Sequence, residues 1–189
     1  MPYRKFIFTL MSCGDDEDDN VTNESISQNL LGSWIPYHYS MKGEIYDKDK
    51  NEVFSTFDFE GSLGEAASKT VIWGSFHTNY YLLIGDTKCA EGLMFRYSSI
   101  TYYSYESQYD TWKPSSIYEG VVYNIINNKM NIIDKYGEIS YSAYIKKISN
   151  DELILEARYS DWGRYELDHY GLNDNTSIRI KYKRLQTGL

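Results

Sequence analysis

The sequence predicts an all-β domain, and three observations predict it. The chain is rich in aromatic residues, with Tyr 20, Phe 7 and Trp 4 against only 3 prolines, a composition suited to pleated, half-buried strands. Short apolar segments with period-two alternation recur from about residue 33 onward, separated by Gly, Asn, Asp and Ser. No long run with the helical period occurs anywhere.

The elements follow in order. Ser25 to Leu31 reads as one short helical turn with Ser25 as its cap, leading into Gly32-Ser33-Trp34. Ile35, Tyr37, Tyr39 and Met41 share one face of the first strand. Val53, Ser55, Phe57 and Phe59 do so in the second, with Phe54, Thr56 and Asp58 opposite. Short apolar segments lie at Thr70 to Trp73, Tyr80 to Ile84, Leu93 to Tyr97 and Ile100 to Tyr105. Asn127-Asn128 between Glu119–Ile126 and Lys129–Asp134 is a hairpin signal. Ile139, Tyr141, Ala143 and Ile145 alternate next; Ser149-Asn150-Asp151 turns the chain; Leu153, Leu155, Ala157 and Tyr159 alternate again. Asp161-Trp162-Gly163 marks another turn before Tyr165 to Tyr170, and Ile178, Ile180 and Tyr182 close the series. About ten to twelve strands at this spacing fit a sandwich or a barrel. Consecutive tight hairpins favour an antiparallel up-and-down barrel, which removes its edges by closing, with a β-sandwich as the alternative.

The chain has 189 residues, which fits one domain plus a tail. Roughly 160 residues in the domain suffice to bury about 68–70% of the unfolded surface without a metal or disulfide staple. The net charge is −8, part of it from the run Asp15-Asp16-Glu17-Asp18-Asp19. This balance argues against nucleic acid, which requires a basic patch. Residues 14 to about 28 are too polar to fold alone and read as a disordered acidic tether, with a coil span of about 20–25 Å.

At the N-terminus, Arg4 and Lys5 precede the apolar run Phe6 to Met11, then Ser12 and Cys13. This order resembles the end of a bacterial lipoprotein signal peptide, in which diacylglycerol is joined to the cysteine sulfur and cleavage makes that cysteine the N-terminus. The resemblance implies residues 1–12 as signal, Cys13 as the lipid attachment site with its linker through 29, and a domain at 30–189. It also implies an envelope location, anchored to the outer membrane on its periplasmic or surface-exposed face. The apolar run is six residues, where a secretory signal has about 7–15, so Met1 is expected to lie inside a longer natural signal. With Cys13 lipidated, Cys89 has no partner for a disulfide.

Leu31-Gly32-Ser33-Trp34 resembles the Gly-x-Trp motif of lipocalins, in particular the lipocalin-like lipoproteins of Gram-negative bacteria. Gly120-Val121-Val122-Tyr123, Asn127 to Ile132 and the segment from Tyr144 through Ser149-Asn150-Asp151 to Leu155 are similar to the paired late strands of those barrels. The resemblance implies that Trp34 plugs the closed end and that Arg179 or Arg184 packs over it by cation–π stacking, a structural role. The family's binding residues vary with the ligand, and none is transferred. The chain departs from the pattern in an apparent insertion at residues 98–116 and in having more than eight candidate strands.

That insertion carries the most suggestive functional residues: Tyr102, Tyr103, Tyr105, Tyr109 and Trp112, with Ser, Asp and Gln between them. Tyrosine and tryptophan give large amphipathic contact area at low entropic cost. Alternation puts Tyr103 and Tyr105 on one face, and if that face is the barrel mouth, Tyr102 points out. His38, His77 and His169 are scattered, short of the convergent ligands a zinc site needs. Gly-x-Ser-x-Gly, His-Glu-x-x-His and a phosphate loop are absent, and Asp58 with Glu60 reads as a solvated edge. No catalytic residue, metal or cofactor is expected. The sequence therefore points to a non-catalytic, envelope-anchored lipocalin-like barrel binding a small apolar or amphipathic ligand in a tyrosine-lined interior. A surface module that contacts a glycan or protein through residues 98–116 is the alternative, and a hydrolase on an open sandwich a weaker third.

Overall fold

The structure is a computed structural model, and it describes residues 23–73, 76–80, 91–106, 111–114, 121–158, 170–173 and 175–185. Helix α1 (Asn23–Leu30) leads directly into the long strand β1 (Gly32–Asp47). Strand β2 (Glu52–Gly61) returns beside it, followed by helix α2 (Leu63–Ser68) and a separate hairpin of β3 (Thr70–Trp73) and β4 (Phe76–Asn79). Then come β5 (Gly92–Arg96), β6 (Ser99–Glu106) and β7 (Thr111–Pro114). Strands β8 (Val122–Ile126), β9 (Lys129–Ile133), β10 (Ile139–Ile148) and β11 (Glu152–Arg158) form a meander. The chain ends with β12 (Tyr170–Leu172) and β13 (Ser177–Arg184).

Eight of these strands close a ring in the order β1-β13-β11-β10-β9-β8-β6-β5, and β5 pairs back onto β1 through Gly32↔Phe95 and Trp34↔Leu93. All pairings are antiparallel. The architecture is a closed, antiparallel eight-stranded β-barrel. Strands β2 and β12 extend the sheet along the upper half of β1, and β7 lies outside β6. The segment at 98–116 is therefore no simple insertion: its first half is a barrel strand, and β7 alone is added to the ring.

The Asn127-Asn128 hairpin forms as a two-residue turn, with φ of 51° and 59° at the two asparagines and Ile126 paired to Lys129. Asparagine tolerates this left-handed region better than other side chains, and a two-residue turn of this kind matches the twist of the strands it joins. Leu153, Leu155 and Ala157 of β11 face inward with Ile178, Ile180 and Tyr182 of β13, as alternation requires. Two expected faces are broken by β-bulges, each of which shifts the phase of alternation by one residue. A bulge between Pro36 and His38 puts Trp34 and Pro36 inside below it and Tyr39 and Met41 inside above it, so Ile35 and Tyr37 leave the core. A second, between Ile139 and Tyr141, turns Ile139 outward. Helix α1 starts at Asn23, so Ser25 lies within it and does not cap it.

The lumen is crossed by its own side chains. Tyr102 on β6 and Tyr141 on β10 are separated around the wall by β8 and β9, yet their hydroxyls meet at 3.0 Å with both residues buried. Below them Trp34, Phe95, Met130, Ile132 and Leu155 are buried, and Phe95 meets Tyr123 edge to face at 5.2 Å. An interior of this kind is a packed core. The Tyr123 hydroxyl is buried without a hydrogen-bond partner among the described residues, and burial pushes its pKa up. The two hydroxyls predict opposite outcomes. Tyr102→Phe should lower the unfolding free energy by about 1 kcal/mol, the net value of a satisfied buried hydrogen bond. Tyr123→Phe should leave it unchanged or raise it, because it deletes a desolvated group that has no partner. Urea denaturation of both variants measures the difference.

Candidate functional site

Trp34, fully buried near the start of β1, joins the barrel wall to α1. Its indole Nε1 donates to the Leu30 carbonyl at 2.8 Å, which ties the strand to the last turn of α1. Arg184, at the end of β13, lies over the Trp34 ring at 4.2 Å. From there it donates to the α1-end carbonyls of Leu31 (2.6 Å) and Asn29 (2.7 Å), and to that of Asn150 in the β10–β11 turn. The Asn29 and Leu31 carbonyls would otherwise be orphaned at the helix terminus. The same contact explains Gly32, whose φ is +117° and where an added Cβ would meet Arg184 Nη1 at 2.7 Å. Arg179 stands elsewhere, on the outer face, where it pairs with Glu156 and holds that carboxyl below the ordinary range against the opposing effect of burial. Arg184→Met should cost roughly 3 kcal/mol of unfolding free energy, since it leaves several carbonyls unpaired. Arg179→Ala, at a half-exposed ion pair, should cost less than about 1 kcal/mol. Thermal denaturation separates the two.

The other feature of the barrel wall is a break in pairing beside β1. On the edge of β1 away from β13, β5 is paired as far as Trp34, and β2 takes over from Tyr39. Between them, residues 35–38 have no strand partner on that edge among the described residues. The stretch contains Pro36, which has no N–H to leave unsatisfied, and the bulge at Tyr37. Bulges recur where a strand must leave its pairing and re-aim a side chain.

Helix α2 fills the space beside this gap. It starts with a capping box, Ser62-x-x-Glu65. The Ser62 amide and hydroxyl donate to Glu65 Oε2 at 2.6 and 2.9 Å, and Ser62 Oγ accepts from the Glu65 amide at 3.3 Å. These hydrogen bonds to Ser62 hold the Glu65 carboxyl below the ordinary range. Gly61 makes room for them, since a Cβ there would meet Glu65 Oε2 at 2.7 Å. Ala66 then faces the core, fully buried, and Leu63, Gly64 and Ala67 face the gap.

The result is a cleft of about 380 Å3, floored by Pro36, Tyr37 and Tyr39 of β1 and walled by those three residues of α2. Trp112 of β7 completes it. The indole of Trp112 is seated on Gly92, where an added Cβ would meet its Cε3 at 3.1 Å and Cζ3 at 3.3 Å. The polar groups at this site are already engaged. The Tyr37 hydroxyl donates to Glu152 at 2.8 Å, and Glu152 also accepts from Lys147 at 2.8 Å. Burial and that carboxylate push the Tyr37 pKa up. His38, behind the floor, is 3.0 Å from Glu60, which accounts for the lowered pKa of that carboxyl.

Of the residues singled out in the sequence, Trp112 enters this cleft. Tyr102 points inward to Tyr141, and Tyr103 lies on the opposite face, its hydroxyl 3.3 Å from Met94 Sδ. The inward and outward faces of this strand are thus the reverse of the arrangement with Tyr103 in the barrel mouth. Tyr105 stands opposite Trp112 in the β6–β7 register. Tyr109, Cys13, Cys89 and the turn at 161–163 lie outside the described residues. Sequence reasoning missed α2 and its Gly64 and Ala67; the Ser62-x-x-Glu65 box was the available signal. Among the described residues no group of three or more His, Cys, Asp or Glu is placed to hold a metal ion, and no helix is long and apolar enough to cross a membrane.

No protein-family model, characterised protein or solved structure matches this chain.

Proposed function

We propose that this protein is a non-catalytic, lipocalin-like binding barrel, held in the cell envelope by lipid on Cys13, that takes a small apolar or amphipathic ligand in the cleft beside β1. One observation carries the reading: an open, largely apolar cleft of about 380 Å3 lies outside a lumen that Tyr102 and Tyr141 cross. That volume falls in the range of about 300–1,000 Å3 typical of small-molecule sites. The tyrosine-lined interior thus supplies core, and Trp112 with the floor of β1 supplies contact surface. The proposed anchor rests on Arg4-Lys5, the apolar run and Ser12-Cys13, and two or more acyl chains give stable attachment where one is marginal.

Gly64 offers a direct test of the cleft. A Cβ built there meets only Ser62 Oγ, at 4.0 Å, so there is room to begin a side chain at a residue that lines the cleft. Gly64→Leu should therefore block an apolar fluorescent probe while raising the melting temperature slightly, because leucine favours a helix over glycine by roughly 0.8 kcal/mol. Unchanged probe binding in a folded Gly64→Leu protein would exclude the cleft. For the anchor, metabolic labelling with a palmitate analogue in a Gram-negative host should mark the wild-type chain and not Cys13→Ser; equal labelling of both would exclude Cys13 as the attachment site.

A further inference from the structure

We infer that the cleft beside β1 selects neutral, planar aromatic ligands over acyl chains, an inference that rests on the cleft being the binding site.

Charge favours a neutral ligand. Among the described residues, no charged side chain lines the cleft. The nearby carboxylates are spent within the protein, Glu65 on its cap and Glu152 on Lys147 and Tyr37. A ligand carboxylate or ammonium would lose part of its water here and meet no opposite charge from the described residues, which is unfavourable. A neutral ligand meets no such penalty.

Shape favours a planar one. One side of the cleft is made of ring-bearing residues, Pro36, Tyr37, Tyr39 and Trp112. The facing wall is the face of α2 that carries Gly64 and Ala67, three residues apart and neither bulkier than a methyl, with Leu63 at its end. Gly64 has open space where its Cβ would be. A smooth helix surface opposite a set of rings leaves a gap that a flat ring system fills, with stacking as an added contribution beyond buried area. A flexible chain would gain the area alone and lose rotational freedom on binding.

Preorganisation favours a stacked ring. Trp112 is seated on Gly92, and that seat exists because position 92 has no side chain. A ring held in place before binding loses little entropy when a ligand stacks on it. The specificity residue is therefore Trp112, and Gly92 positions it.

The full chain should be titrated with neutral N-phenylnaphthylamine, and the bound probe displaced with naphthol, dodecanol or dodecanoate. The expected result is displacement by naphthol at concentrations about ten-fold below those needed for dodecanol, with dodecanoate weakest. Trp112→Leu, a substitution on a strand outside the closed ring, keeps apolar area and removes the ring, so it should bring naphthol and dodecanol to near parity. Dodecanol or dodecanoate displacing the probe as well as naphthol does would overturn the planar selectivity while leaving the cleft as the binding site. Absence of probe binding in the folded wild type, or displacement unaffected by Gly64→Leu, would overturn the cleft reading and this inference with it.

Discussion

Strand β1 runs for 16 residues, longer than the wall of a small barrel accommodates with one partner on each edge, and the remaining architecture follows from how its edges are shared. One edge runs along β13 and then β12. The other is divided between β5, which closes the ring, and β2, which returns by hairpin. Two strands arriving on one edge from opposite ends cannot both reach its middle, so residues 35–38 are left between them. A proline and a bulged tyrosine occupy the gap, the residue types that tolerate interrupted pairing. A capped helix beside the gap and a tryptophan across from it turn the interruption into a cleft.

The junction of α1 with the barrel wall depends on Arg184. An arginine over an indole contributes modestly by itself, but Arg184 also gathers carbonyls from α1, from the segment that joins it to β1, and from the β10–β11 turn. It therefore couples the start of the domain to its last strand and to a hairpin in the middle. Ile26 and Leu30 of α1 are buried, and α1 packs against β8 and β10. Burial lowers the Arg184 pKa, opposed by Asp151, yet an arginine remains charged at any physiological pH, so the lock has no titratable failure point there.

Much of the fold was legible because its signals are local. The Asn127-Asn128 pair dictates its own turn, and the alternations in β11 and β13 fall on the faces that are buried. Gly32 and Trp34 were readable as a motif, and the structure gives the physical reason: the glycine is where Arg184 passes. What was not legible depends on partners distant in sequence. The bulges at Pro36/His38 and Ile139/Tyr141 shift alternation by one residue, and nothing within either segment announces them. Tyr102 faces inward because β6 is registered against β5 with Leu93 opposite it, a pairing that no reading of residues 98–116 alone reveals. The cleft is less legible still, since β1, α2 and β7 contribute to it across some seventy-five residues, and Gly64 and Ala67 matter for the bulk they lack.

The division between lumen and cleft has an energetic logic. Residues 30–189 contain one cysteine, Cys89, so the domain closes no disulfide within itself and obtains its stability from burial; the buried Trp34, Tyr102, Tyr141 and Tyr182 supply it with large side chains whose removal would open cavities costing several kcal/mol each. A lumen emptied for a ligand would forfeit those contacts. At the edge of the wall the balance differs: residues 35–38 lack a strand partner on one side among the described residues, so less pairing is lost by leaving space there. Binding surface placed at that point can change without touching the core. Aromatic residues serve both places, satisfied by one another inside and held half-exposed outside, which is why the tyrosine content alone could not tell core from contact surface.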